Sequence, residues 1–211
     1  MISKKQKDRG LFARLIEKAI EIFLKKECKS IDNIYINIFA SSSQIIKGLI
    51  NSVHIKAEDI EYKQLYIDSV ELESNKVEIR YKIKNKSLIF NNNLSIEFKL
   101  HLSKKSLNKI LSSESWSWVG ERISTELLNL SKFNCIDIKN NKIEIEAQDE
   151  KNSLNKKEII NIQLKDGKIY LESELNSSST TIPIEEKIII SELMLKDNFI
   201  IISATSLVNF N

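Results

Sequence analysis

The sequence predicts an α+β fold in which long, curved antiparallel β-sheets pack on an N-terminal helix and a central helical segment. Apolar residues recur at three- and four-residue spacings near the start, alternate with polar residues along most of the chain, and return to helical spacing only in the middle. The 211 residues, 42% of them hydrophobic, suffice for one substantial core. We expect a flexible basic lead over residues 1–10 and a single α+β domain over 11–211.

The first helix is predicted over residues 11–28. Its charges separate a set of apolar residues at helical spacing, namely Phe12, Leu15, Ile16, Ala19, Ile22 and Phe23. A period of two begins at Ile31 and marks the first strand. Serines 41–43 then precede a short apolar segment over residues 44–50, in which Gly48 suits a C-cap or a close backbone approach.

Alternation is clearest over residues 77–83 and 94–102, where one face is apolar and the other charged, as in an antiparallel sheet covered on one side. A phase slip near Asp68 predicts a β-bulge. Four dipeptides predict hairpin turns, and these are Ser74-Asn75, Asn140-Asn141, Asp166-Gly167 and Asp197-Asn198.

The middle of the chain is predicted to be helical, with one helix starting at Ser103 and a second over residues 115–130. Polar segments at 149–157 and 176–181 are predicted loops. Strands are expected on either side of both loops, so the order helix, strands, helices, strands supports the α+β prediction.

The net charge of +3 arises at the N-terminus, because residues 1–29 contain nine basic and four acidic groups. Four arginines in the whole chain do not make the basic, aromatic-bearing surface of a nucleic-acid-binding protein, so we expect no nucleic-acid partner. Charged residues interrupt any signal-peptide or membrane-spanning run. With two widely separated cysteines, the sequence predicts a soluble protein of the reducing cytoplasm.

The sequence predicts neither an enzyme nor a cofactor or metal site. His54 and His101 each stand between apolar strand residues and should project from the polar face of a sheet. His-x-x-x-His, clustered cysteines, GxGxxG, GxSxG and Walker sequences are all missing from the chain. Carboxylate pairs such as Glu185-Glu186 fall in polar loops, where solvated charge is the simpler interpretation.

Two features favour binding at a membrane. The first helix either covers a sheet with its apolar face or docks on anionic headgroups through its basic lead, and both hold if only residues 1–12 touch lipid. Trp116 and Trp118 point to nearly opposite sides of a helix. Trp116 fits the stripe of Val119 and Ile123, which leaves Trp118 for a membrane interface, a ligand mouth or a neighbouring loop.

Two stretches of the chain carry a resemblance to a known family. They are SSSQIIKGLINSVHIKAEDIEYKQLYIDSVELE and NNLSIEFKLHLSKKSLNKIL, whose matching positions are Ile45, Ile46, Gly48, Ile50, Val53, Ile55, Ile67, Val70, Leu72, Leu102, Ser103, Leu107 and Asn108. They resemble the LmeA-like phospholipid-binding family of actinobacteria and cyanobacteria. The resemblance implies a β-rich fold like the tubular lipid-binding folds, with an apolar groove and no catalytic residues. Exported members carry an N-terminal export segment, which is not seen here.

We therefore predict a non-catalytic protein that binds phospholipid or another acyl-chain ligand, in the cytoplasm and peripheral on the inner or thylakoid membrane. The groove candidates are Ile45, Ile46, Leu49, Ile79, Tyr81, Ile96, Phe98, Leu100 and Trp116. The membrane-contact candidates are Lys4, Lys5, Lys7, Arg9, Phe12 and Trp118. The alternative is a structural or assembly module that docks a protein partner through a sheet edge or the first helix.

Overall fold

A computed structural model describes residues 10–82, 87–91, 93–149 and 155–209, with the backbone alone at 81, 82, 87 and 88. The helices are α1 (Leu11–Glu27), α2 (Ser42–Ile46), α3 (Lys104–Leu111) and α4 (Ser117–Ile123), which continues into a π-helix (Ser124–Leu128). The strands are β1 (Ser30–Phe39), β2 (Leu49–Tyr62), β3 (Leu65–Lys82), β4 (Ser87–Phe90), β5 (Leu94–Ser103), β6 (Lys132–Lys139), β7 (Lys142–Gln148), β8 (Asn155–Lys165), β9 (Lys168–Ser173), β10 (Ser179–Ile182), β11 (Ile188–Lys196) and β12 (Phe199–Val208).

The strands form two antiparallel sheets. The larger has seven strands in the order β1-β2-β3-β5-β12-β11, with β4 paired to β3, and the smaller is a five-stranded meander, β10-β9-β8-β7-β6. This confirms the predicted α+β class, whereas the likeness to tubular lipid-binding folds stays a prediction. In the described part of the chain, every helix is too short or too polar to cross a membrane.

Two apolar clusters make the core. The α1 cluster lies where Ala13, Ile16 and Ile20 pack on β1, β2 and β3. The two-sheet cluster joins the smaller sheet, α3, α4 and the π-helix to one end of the larger sheet, and Leu127 and Ile145 are among its least exposed members. After the smaller sheet the chain returns to the larger one, where β12 pairs with β5. The two-sheet cluster includes residues of both sheets and therefore joins them.

The turn before β2 is fixed by local chemistry. Ser41 and Gln44 form a capping box, in which the Gln44 N–H donates to Ser41 Oγ and the Ser41 N–H donates to Gln44 Oε1. Gly48 follows with a φ of 76°, and its carbonyl accepts the Ile79 N–H at 2.8 Å. A Cβ on Gly48 would overlap the Ile79 carbonyl, which confirms the predicted close approach, whereas the C-cap of α2 is Lys47 and Gly48 is the residue after it.

Three of the four predicted hairpin turns are present, at 140–141, 166–167 and 197–198, each with two residues of positive φ. The turn predicted at Ser74-Asn75 is wrong, because β3 continues through it as an 18-residue strand. β2 pairs with β3 along most of its length. On its other edge β3 pairs first with β5 and then with β4, and the continuous pairing with β2 keeps β3 extended across this change. β2 and β3 form a hairpin whose turn is Lys63-Gln64, with φ values of 47° and 63°.

The bulge predicted near Asp68 is also wrong. Ile60 opposes Ile67 and Glu58 opposes Ser69, so the register does not shift. The two predicted loops are shorter than expected, since β8 starts at Asn155 and β10 occupies Ser179–Ile182. Both short extensions gain backbone hydrogen bonds from a neighbouring strand, which outweighs their polar composition.

Candidate functional site

The larger sheet has one apolar face that runs across several strands. Directly opposed residues in an antiparallel ladder share a face. Two successive rows of this face are Ile55, Leu72, Phe98 and Ala204, then Ala57, Val70, Leu100 and Ile202. The α1 cluster covers one end of the face and the two-sheet cluster covers the other.

A cavity of about 160 Å³ lies between α1 and this apolar face. Ile20, Phe23 and Leu24 of α1 line one side, and residues of β2, β3, β4 and β5, including Ile79 and Ile96, line the rest. Ser74 also borders the cavity, but its hydroxyl donates to the Ser95 carbonyl at 2.9 Å. Glu73 is a lining residue too, but its carboxylate lies 3.2 Å from His54 Nε2 on the other face of the sheet, so the exposed wall is hydrocarbon.

The cavity adjoins a half-buried apolar strip of the sheet. Val70, Leu72 and Leu100 are half-buried and belong to neither apolar cluster of the described residues. Leu72 also lines the cavity, so the two features are continuous. We call the cavity together with Val70, Leu72 and Leu100 the trough. From the row of Ser74 to that of Val70 the strand advances by ~13 Å.

The opposite face of the sheet is polar. His54 Nε2 lies 3.2 Å from Glu73 Oε1, and Lys56 Nζ lies 2.6 Å from Glu71 Oε1. These cross-strand pairs border a groove of about 250 Å³. Exposed pairs of this kind contribute little to stability, and a solvated surface accounts for them.

The second histidine differs from the expectation. His101 lies on the polar face, as predicted, but it is half-buried and its Nδ1 is 2.8 Å from the Ser69 hydroxyl. Across the described ranges, no group of three His, Cys, Asp or Glu side chains is placed to hold a metal ion.

The structure brings some of the groove candidates together. Ile79 and Ile96 line the cavity, and Ile45 is buried in the α1 cluster. Phe98 and Leu100 lie on the apolar face, although Phe98 packs against the two-sheet cluster. The side chain of Tyr81 falls outside the described residues.

Three groove candidates, Ile46, Leu49 and Trp116, lie away from the cavity. Ile46 and Leu49 are 69% and 43% exposed. Leu49 is turned outward because the inward phase of β2 shifts between Ile50 and Val53, which are three residues apart and both buried. Trp116 is the N-cap of α4, packs on the two-sheet cluster and donates its Nε1 proton to the Lys63 carbonyl at 3.1 Å, so it stabilises the β2–β3 turn.

Of the six membrane-contact candidates, the structure describes Phe12 and Trp118, which lie on different helices. Lys4, Lys5, Lys7 and Arg9 fall outside the described residues. Phe12 and Trp118 are each 45% exposed. Trp118 belongs to α4 and donates Nε1 to the Ser115 carbonyl, whereas Phe12 belongs to α1.

Much of the α1 wall of the trough, including Ile20 and Leu24, was not predicted from the sequence. Of the six residues taken as the apolar stripe of the first helix, only Ile16 is buried, and the buried stripe is Ala13, Ile16 and Ile20. Apolar residues cover more than half of the helix circumference, so spacing alone did not determine which side faces the sheet. The width of this apolar arc was the sequence feature that could have indicated two apolar surfaces on α1.

No family model matches the chain, no curated protein is detectably similar to it, and no solved structure matches it. The resemblance to the LmeA-like family stays a prediction.

Proposed function

We propose that the protein binds a lipid through an acyl chain held in the trough, without a chemical step. The observation that carries this proposal is the hydrocarbon-walled cavity under α1, which continues into half-buried apolar residues that belong to neither cluster. An apolar surface of this shape gains free energy when hydrocarbon displaces water from it, at ~0.8 kcal/mol for each CH₂ group buried.

The dimensions favour one chain rather than a whole phospholipid. A closed apolar cavity of ~150 Å³ accommodates a molecule the size of benzene. The cavity of about 160 Å³ therefore suits the end of an acyl chain. The next part of the chain would follow the strip of Val70, Leu72 and Leu100, and the headgroup would remain in solvent.

The proposed location is the cytoplasmic side of a membrane. Cys28 and Cys135 are unpaired with each other and half-buried. Burial raises the pKa of both thiols, which keeps them protonated and slow to react near neutral pH. Two thiols that need no disulfide fit the predicted reducing compartment.

Native mass spectrometry of protein purified from cells tests the proposal. We expect a mass increment equal to one lipid, and organic extraction of the same sample should release a molecule with an acyl chain. Repeated recovery of empty protein, with no uptake from added fatty acid or phospholipid, would contradict it. Recovery of one stoichiometric protein partner and no lipid would instead support the docking module.

A further inference from the structure

α1 has a second apolar side that faces away from the sheet. Five large side chains make up this outer stripe: Leu11 (70% exposed), Phe12 (45%), Leu15 (51%), Ile22 (59%) and Phe23 (51%). The buried residues of α1 lie on a different side, against β1. From its first to its last residue the stripe extends ~18 Å along the helix axis.

A row of basic side chains borders the outer stripe. Three residues after Leu11, Leu15 and Ile22 come Arg14, Lys18 and Lys25, respectively. Residues three apart are neighbours on a helix surface, so each basic group lies beside one apolar group. All three basic residues are exposed, and Lys26 adds a fourth charge in the last turn.

The nearby carboxylates do not cancel this row. Glu17 turns toward the sheet, where its Oε1 accepts the Ile38 N–H at 3.3 Å. Glu21 is held between Lys25 at 2.8 Å and Lys18 at 2.9 Å, and these two hydrogen bonds lower the pKa of its carboxyl. α1 therefore carries four basic groups, Arg14, Lys18, Lys25 and Lys26, against three acids, Glu17, Glu21 and the exposed Glu27, and it keeps a positive excess of one.

We infer that the outer stripe docks α1 flat on an anionic phospholipid bilayer. The apolar side chains would enter the boundary between headgroups and acyl chains, and the basic row would contact phosphate and other anionic headgroups. The charge row argues for a bilayer over a second copy of the chain, because two identical basic rows would repel each other.

This docking does not depend on the proposed function, but it would serve it. Phe23 belongs to the outer stripe and also lines the cavity. A bilayer held against the stripe would therefore meet the mouth of the cavity at Phe23. An acyl chain could then pass from bilayer to trough over one side chain.

Vesicle co-sedimentation tests the inference with the full chain. We expect binding to vesicles of phosphatidylcholine mixed with phosphatidylglycerol, weaker binding to phosphatidylcholine alone, and loss of binding in high salt. Leu15→Ser with Ile22→Ser should weaken binding by at least about tenfold. The matched control, Leu175→Ser with Leu207→Ser, removes two exposed leucines elsewhere and should bind like the unchanged protein.

A second pair of variants tests the charges. Arg14→Gln, Lys18→Gln and Lys25→Gln together should weaken binding to the anionic vesicles by about tenfold or more. Lys105→Gln, Lys187→Gln and Lys196→Gln change the net charge equally, away from α1, and should have a much smaller effect. Circular dichroism must show that all four variants keep the native helix and strand content.

Three results would overturn the inference. One is equal binding by a stripe variant and its control, and another is no binding of the unchanged protein to anionic vesicles. The third is a concentration-dependent dimer in sedimentation that the stripe variant abolishes, with no vesicle binding, since this assigns the stripe to a second copy. Loss of lipid from the trough with vesicle binding intact would contradict the proposed function alone.

Discussion

The carboxylate of Asp68 accepts two hydrogen bonds from Ser103, one from the backbone N–H at 2.6 Å and one from the hydroxyl at 2.9 Å. Ser103 is the N-cap of α3, and its hydroxyl accepts the Ser106 N–H at 3.2 Å. Asp68 therefore holds the end of β5 and the start of α3 against β3.

Asp68→Ala should lower the free energy of unfolding by about 1–3 kcal/mol, because it leaves a half-buried N–H and hydroxyl without their acceptor. Urea denaturation measures this as a lower midpoint with an unchanged slope. Glu97→Gln, an exposed residue of the polar face, is the control and should change stability by less than about 0.5 kcal/mol. Equal midpoints for the two variants would contradict the assigned role.

Gly48 and Gly167 form a matched pair for backbone strain. Both have positive φ, 76° and 71°, but only at Gly48 would a Cβ overlap another backbone atom. Gly167→Ala should cost about 1 kcal/mol from its φ alone, and Gly48→Ala about 2–4 kcal/mol. The measurement is thermal unfolding followed by circular dichroism. Equal losses would show that the contact between Gly48 and β3 is unimportant.

Glu158 is a buried acid on the core side of the smaller sheet. Its side chain is 0% exposed, and Lys156 Nζ lies 2.8 Å from Oε2. The contact is an ion pair without hydrogen-bond geometry, since neither carboxylate oxygen has a hydrogen-bond partner among the described residues. Glu158→Met should leave stability unchanged or raise it by about 1 kcal/mol, whereas Lys156→Met should lower it by about 2 kcal/mol, because it leaves the carboxylate buried alone.

Chemical denaturation of the two methionine variants gives both values. The account is supported if Glu158→Met raises stability while Lys156→Met lowers it, or if only Lys156→Met clearly lowers it. A loss above about 2 kcal/mol for Glu158→Met would mean that the carboxylate itself stabilises the fold, against expectation.

Asp137 should give the protein an acid-sensitive contribution to stability. Hydrogen bonds from Lys139 and then Lys104 lower the pKa of its carboxyl from 3.8 to about 2. A depressed folded-state pKa means that the stabilisation is complete above the unfolded-state value and is lost as the pH falls through the folded-state value. The loss should therefore occur between about pH 5 and pH 2.

Asp137→Asn should be less stable than the unchanged protein by about 1–2 kcal/mol at pH 7, a range reduced for the solvent exposure of both lysines. Near pH 2 the two proteins should converge. Denaturant midpoints measured across this pH range test the prediction, with Glu186→Gln in an exposed loop as control. A difference that stays constant with pH would contradict it.

Sequence patterns predicted the positions of helices and strands better than which of their side chains point into the core. Strong alternation and turn dipeptides placed most strands, and Ser103 marked the start of α3. The continuity of β3 could not be read from Ser74-Asn75, because a long partner strand, β2, supports the chain there. The exposure of Leu49 could not be predicted either. The inward-facing positions of β2 and β3 change at the same place, so the pairing register of the two strands is unaltered there.

The trough was only partly predictable. Ile79 and Ile96 line the cavity, and they could be placed on the apolar face because they lie in regular strands. The position of Trp116 away from the cavity could not be predicted, because its indole donates to the carbonyl of Lys63, 53 residues away in sequence. On α1, an apolar arc wide enough for two surfaces made the buried side ambiguous until the position of β1 was known.

The most direct test of lipid binding is a titration with cis-parinaric acid, a fluorescent fatty acid, on three proteins. Ile96→Trp should fill part of the cavity and weaken binding by at least about tenfold, while native circular dichroism is retained. Leu207→Trp adds the same indole at an exposed position of β12 and should bind like the unchanged protein. Equal affinities for all three proteins, or no binding to the unchanged one, would contradict the account.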